Sequence, residues 1–195
     1  MKEGREVVVR FVGFVAILVF CVVLAVQAWV FARCFFAVRA VPSFSAFPVV
    51  RVLFYGSGKG TVSARFSLFD TAGREFAVID RSWTADSLSF DFTTASFGGK
   101  TFVFPFKIRP SEATAGGTSI AHYYLDRKQC MLLGEPCTEE QKHAFYHLAL
   151  YALGMTRTFS SRFSEIRTLN LAQCEMGKTY DILTDSEGLL VLEPM

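Results

Sequence analysis

Residues Phe11 to Ala32, FVGFVAILVFCVVLAVQAWVFA, run for twenty-two positions without a charge. No other stretch limits the chain so tightly. At 1.5 Å of rise per residue a helix over this run reaches about 33 Å, enough to cross a hydrocarbon core of about 30 Å. Gln27 is its one strongly polar residue. Arg10 and Arg33 bracket it where long basic side chains reach headgroups, and Trp29 stands at interfacial depth. A core helix of a soluble protein is usually shorter and carries a polar stripe. The run therefore predicts a transmembrane helix that places Phe11–Ala32 in a lipid bilayer.

A cleaved signal peptide is the competing reading, because Val26-Gln27-Ala28 meets the small-residue preference before a cleavage site. Against it, the apolar core exceeds the usual 7–15 residues, and Trp29 to Phe36 carries it past the cut. An uncleaved signal anchor is expected, with residues 1–10 as a short tail and 33–47 as a juxtamembrane linker. Lys2, Arg5 and Arg10 on one side and Arg33 and Arg39 on the other bias the N-terminus slightly toward the cytoplasm. That orientation predicts a membrane protein whose C-terminal domain is extracytoplasmic, periplasmic or extracellular.

The formal charge of +2 divides unevenly. Up to Arg33 there are four basic and two acidic residues, which leaves sixteen of each beyond it. A neutral domain without a basic block has no electrostatic footprint for nucleic acid, so that class of partner is excluded. Five cysteines force at least one free or intermolecular thiol. Cys130 and Cys137 flank MLLGEP, where Gly134 and Pro136 could fold the chain back and bring the sulfurs together. A disulfide there suits an oxidising compartment; two free thiols suit a reducing one.

Residues 48–195 read as one β-rich exported domain, α+β but mainly β. Pro48–Tyr55 has strand composition, and glycines at 56, 58 and 60 end it. From Thr61, Val62, Ala64, Phe66 and Leu68 alternate with Ser63, Arg65 and Ser67. Glu75–Trp83 follows a turn at 71–74, and Leu88, Phe90 and Phe92 alternate with polar residues. In KTFVFPFKI (100–108), Phe102, Phe104, Phe106 and Ile108 share a face, and Pro105 demands an edge position or a bulge. These five strands predict an antiparallel meander within a β-sandwich-like domain. Ile120–Leu125 and Cys130–Leu133 suggest a weaker hairpin. One α-helix is expected over about 138–154: Thr138 and Gln141 have capping-box spacing, Glu139 and Glu140 sit at the positive dipole end, and Gly154 stops it. Phe145, Leu148, Ala149 and Ala152 form its core stripe. Three more strands are expected at Glu165–Leu171, Thr179–Leu183 and Leu189–Leu192.

Two segments resemble nucleotide-binding motifs. GSGKGT (56–61) resembles the phosphate loop of adenylate kinases, and DTAGRE (70–75) resembles the DTAGQE box of small GTPases. A phosphate loop needs glycine five residues before its lysine, and that position is Leu53. The residues after Thr61 alternate at period two instead of opening a helix toward phosphates. Both segments are expected to be hairpin turns, and no nucleotide is expected as partner.

His143 and His147 stand at i and i+4 on the helix, with Glu139 a turn earlier and His122 upstream. This spacing can present two imidazoles and a carboxylate to a metal. The same face lies opposite the core stripe, so a solvated polar surface accounts for it equally simply, and these residues are only weak metal candidates. No nucleophile elbow and no paired carboxylates suggest catalysis, and no cofactor is called for. The expected function is a non-enzymatic, membrane-anchored structural or binding module of the cell envelope, with envelope proteins as further partners. Its contacts would come from sheet edges, the 109–118 loop or the exposed helix face. The alternatives are a metal-dependent envelope hydrolase using His143 and His147, and a carrier that encloses an apolar ligand among the phenylalanines.

Overall fold

A computed structural model describes all residues except 1, 42–46, 114–115, 157–163, 185–187 and 189, with side chains also left out for 2–9 and 164. The chain opens with helix α1 (Lys2–Ala40), thirty-nine residues long. The expected tail and anchor, and the expected linker as far as Ala40, thus form one continuous helix, which the uninterrupted run of helix-compatible residues permits; linker residues 42–46 lie outside the described residues. Exposure around α1 is uneven. Arg10 to Val22 are exposed on every side, whereas Val23, Gln27 and Val30 are half-buried and Cys34, Ala37, Val38 and Val41 are buried. These positions recur at steps of four and three, the spacing of a stripe that seats one helix on a neighbour.

Two antiparallel sheets follow. The first has the order β11-β10-β1-β2-β3, built from β1 (Phe47–Gly58), β2 (Thr61–Phe69), β3 (Glu75–Trp83), β10 (Thr179–Thr184) and β11 (Leu190–Pro194). The second has the order β6-β5-β4-β9, from β4 (Leu88–Phe97), β5 (Lys100–Pro110), the two-residue β6 (Thr118–Ser119) and β9 (Ser164–Asn170). The expected five-strand meander is therefore split after Trp83, where the chain passes from one sheet to the other. Phe66 of the first sheet meets Phe90 of the second at 5.6 Å between ring centroids; Phe90 stacks on Phe92, and Trp83 stands edge-on to Phe66. These rings fill the space between the sheets. The opposite face of the first sheet is polar, with Arg51 paired to Asp181 and Arg65 to Asp80.

Strand β4 is buried along nearly its whole length, on both faces. Its alternation of Phe with Ser, Asp and Thr looks half-exposed in sequence, but the second face is covered by helix α3 (Glu139–Ala152). Thr93 Oγ1 donates to the Ala152 carbonyl at 2.7 Å, and Phe102 and Phe104 pack on Phe145. Further along that face, Asp91 pairs with Arg109 at 2.8 Å and accepts from Thr168. The bulge expected at Pro105 is present: Asp91 pairs with Lys107 and Phe92 with Pro105, so Phe106 is the extra residue. It corrects the expected common face. Phe102 and Phe104 pair with Ala95 and Thr93 on the helix side, whereas Ile108 pairs with Phe90 on the sheet side. An added residue inverts a period-two pattern beyond it.

Between the sheets and α3 the expected hairpin at 120–133 shrinks to β7 (Leu125–Asp126) and β8 (Gln129–Cys130), preceded by the single turn α2 (Ala121–Tyr124). Buried Tyr124 donates its hydroxyl to the Pro105 carbonyl at 2.7 Å, so the carbonyl that the bulge frees is satisfied. Helix α3 carries the full capping box: Thr138 accepts from the Gln141 N–H, and the Gln141 side chain accepts from the Thr138 N–H.

Candidate functional site

The histidine pair expected on one face of α3 is brought together. His147 Nε2 lies 3.1 Å from His143 Nε2, with the rings edge-on, and His143 Nδ1 lies 2.9 Å from the Lys128 carbonyl. A carbonyl only accepts, so His143 Nδ1 carries the proton. In the neutral ring its Nε2 is then the acceptor, and His147 Nε2–H donates to it. Lys128 is held there by a two-residue turn in which Arg127 and Lys128 have φ of 45° and 64°. Consecutive left-handed residues make the tight hairpin turn that usually takes Asn-Gly.

The surroundings of the pair are cationic. Burial, Arg33 of α1, His143 and Lys128 together lower the His147 pKa to about 4, so the His147 ring is neutral at pH 7. Arg33 lies on the exposed side of α1, next to the stripe that seats α1 on α3. The face expected to be solvated is thus partly an interhelical junction. Glu139 does not join the histidines; it accepts from the Gln129 amide and lies 3.8 Å from Lys142 Nζ. His122 is likewise elsewhere, its ring against Tyr123. Among the described residues no group of three or more His, Cys, Asp or Glu side chains converges as a metal ligand set would. As it stands, the pair can hold one shared proton or offer two nitrogens to a ligand.

Cys130 and Cys137, the expected disulfide partners, are two free buried thiols here. Burial pushes the Cys130 pKa up to about 12 and raises that of Cys137 as well, which keeps both protonated and poorly nucleophilic. The pair therefore carries no argument about the redox compartment.

Each nucleotide-like segment occupies a turn. Gly58 and Thr61 pair across Lys59-Gly60, with Gly60 at φ +68°, so 56–61 closes the β1–β2 hairpin. In the β2–β3 turn the buried Asp70 carboxylate accepts from the backbone N–H groups of Ala72 and Arg74 and from the Arg74 guanidinium. The turn also docks on the segment after β8. Thr71 N–H donates to the Leu132 carbonyl, and Gly134 N–H donates to Thr71 Oγ1. A Cβ on Gly134 would lie 2.8 Å from Asp70 Oδ2. The aspartate, threonine and glycine types that resemble a nucleotide box thus join two loops.

The chain matches no family model, no curated protein and no solved structure. Sequence reasoning missed Arg33 and Lys128 as neighbours of the histidines. The step of four and three through Val30, Cys34, Ala37 and Val41 gave no usable signal for Arg33, because nearly every neighbouring residue is apolar as well.

Proposed function

We propose that this chain is a single-pass membrane protein whose β-rich domain serves as a non-enzymatic structural or binding module of the cell envelope. The observation that carries this reading is α1: a continuous helix whose stretch from Arg10 to Ala40 is long and apolar enough to cross a bilayer, with Phe11, Phe14, Ile17 and Phe20 each more than half exposed. Apolar surface on all sides of a helix is costly in water and is satisfied in hydrocarbon. The charge bias of the flanks favours a cytoplasmic N-terminus and an extracytoplasmic domain. The chemistry of the domain supports a binding role over catalysis: the Cys130 and Cys137 thiols are buried and protonated, His143 and His147 hold each other, and the buried carboxylates Asp70 and Asp91 are taken up by arginines.

Alkaline carbonate washing of membranes carrying the full-length chain tests the anchor. The chain is expected to stay with the membrane, and release into the supernatant removes the proposal. Labelling of a cysteine engineered at Glu112, in the exposed β5–β6 loop, tests the topology. Reaction with a membrane-impermeant reagent in intact cells is expected, and reaction only after permeabilisation places the domain in the cytoplasm.

A further inference from the structure

Cations gather where the all-round apolar part of α1 gives way to its docked part. Arg33 lies about 6 Å along the helix axis beyond Trp29, and among the described residues neither Arg33 nor Lys128 has an ion-pair partner. Arg127 and Lys142, on the same side of the domain, each have a carboxylate 3.8 Å away, Asp126 and Glu139. The β7–β8 turn puts two basic residues in a left-handed backbone conformation that residues with a Cβ resist. Its Lys128 carbonyl meanwhile fixes the His143 ring.

We propose that Arg33, Lys128, His143 and His147 form a seat for the phosphate of an anionic phospholipid in the leaflet from which α1 emerges. The inference rests on the membrane-anchor reading and adds to it a headgroup preference and a fixed attitude of the domain to the bilayer. Charge complementarity is the first argument: two uncompensated cations flank two imidazoles, and a phosphate supplies the missing negative charge. Continuity is the second. Trp29 and Arg33 mark headgroup depth on a membrane-spanning α1, and α3 packs directly against this docked end of the helix. The two Nε2 atoms already converge. An arriving phosphate draws one proton from solvent onto the pair, after which each ring turns an N–H toward its oxygens.

The full chain in maltoside micelles is titrated with short-chain phosphatidylglycerol, with phosphatidylcholine of equal chain length, and with inorganic phosphate alone. The imidazole NMR signals of its three histidines are followed, with His122 as internal reference. Saturable shifts of His143 and His147 with phosphatidylglycerol are expected, with neither phosphatidylcholine nor phosphate matching them. Lys128→Gln is expected to weaken the response about fivefold, the worth of one cation near an anionic surface. Equal response to phosphatidylcholine, full response to phosphate alone, no response, or an undiminished response in Lys128→Gln each overturns the proposal. A chain that carbonate releases fails as an anchored protein, whereas a chain that stays but ignores phosphatidylglycerol fails only here.

Discussion

Cutting the chain before residue 30 or before residue 42 separates a domain that ends at the expected linker from one that includes the end of its helix. The longer piece keeps Cys34, Ala37, Val38 and Val41, all at most 5% exposed. Burial of Val38 and Val41 contributes about 2 kcal/mol each, and Cys34 and Ala37 about 1 kcal/mol each. That is about 6 kcal/mol, or about 4 kcal/mol once a compact unfolded chain is allowed for. Against a typical total of about 5–15 kcal/mol, the loss is a large fraction of what holds a domain of this size together. At about 2–4 °C per kcal/mol, the 42–195 piece should melt about 8–16 °C below the 30–195 piece. It should also expose the apolar surface of α3 that α1 packs on, and so aggregate or bind a hydrophobic dye. Thermal unfolding followed by circular dichroism reads the difference. Equal midpoints for the two pieces refute the docking of α1 as a structural part of the domain.

Replacing Arg127-Lys128 by Asn-Gly relieves two left-handed residues and should raise stability by about 1–2 kcal/mol in denaturant titration; a loss of stability contradicts the turn geometry. Asp70→Ala leaves four donors facing the site without an acceptor and should destabilise by about 2–3 kcal/mol, while Lys59→Ala at the hairpin tip stays within about 0.5 kcal/mol. Unfolded histidine titrates near its usual value of 6.5 and folded His147 near 4. The unfolded state thus binds more protons between the two. Stability from this site is present above pH 6.5 and falls as pH drops toward 4; a His147→Gln variant should lose that part of the pH profile. Cys130 should resist alkylation at pH 8 in the folded protein, with its thiol pushed up to about 12, and mass spectrometry of the intact and denatured protein checks it.

Local features were legible because their causes are local. Glu75–Trp83 is strand β3 at the expected boundaries, since the turn residues at 71–74 fix locally where the chain reverses and the next strand begins. The Thr138–Gln141 box closes on itself within one turn and needs nothing from elsewhere in the chain. Pro105 announces its bulge because it lacks an N–H. The division of the first five strands between two sheets was not legible, because it depends on which hydrophobic face meets which. The second burial of β4 was hidden too: Thr93 and Asp91 look like solvent-facing residues until α3 and Arg109 arrive on top of them.

The end of α1 shows most clearly where reading the sequence stops. Length, lack of charge and flanking arginines were enough to mark a helix that can enter a bilayer, since the energy of dehydrating a backbone and a row of apolar side chains hardly depends on their neighbours. Which side of that helix meets the domain is a different matter. In a segment where nearly every residue is apolar, a stripe of Val, Cys and Ala has no polar residues to stand out against, so periodicity is mute. Only the folded chain, by packing α3 and the β4–β5 turn against the end of α1, selected that side and brought Arg33 close enough to act on His147.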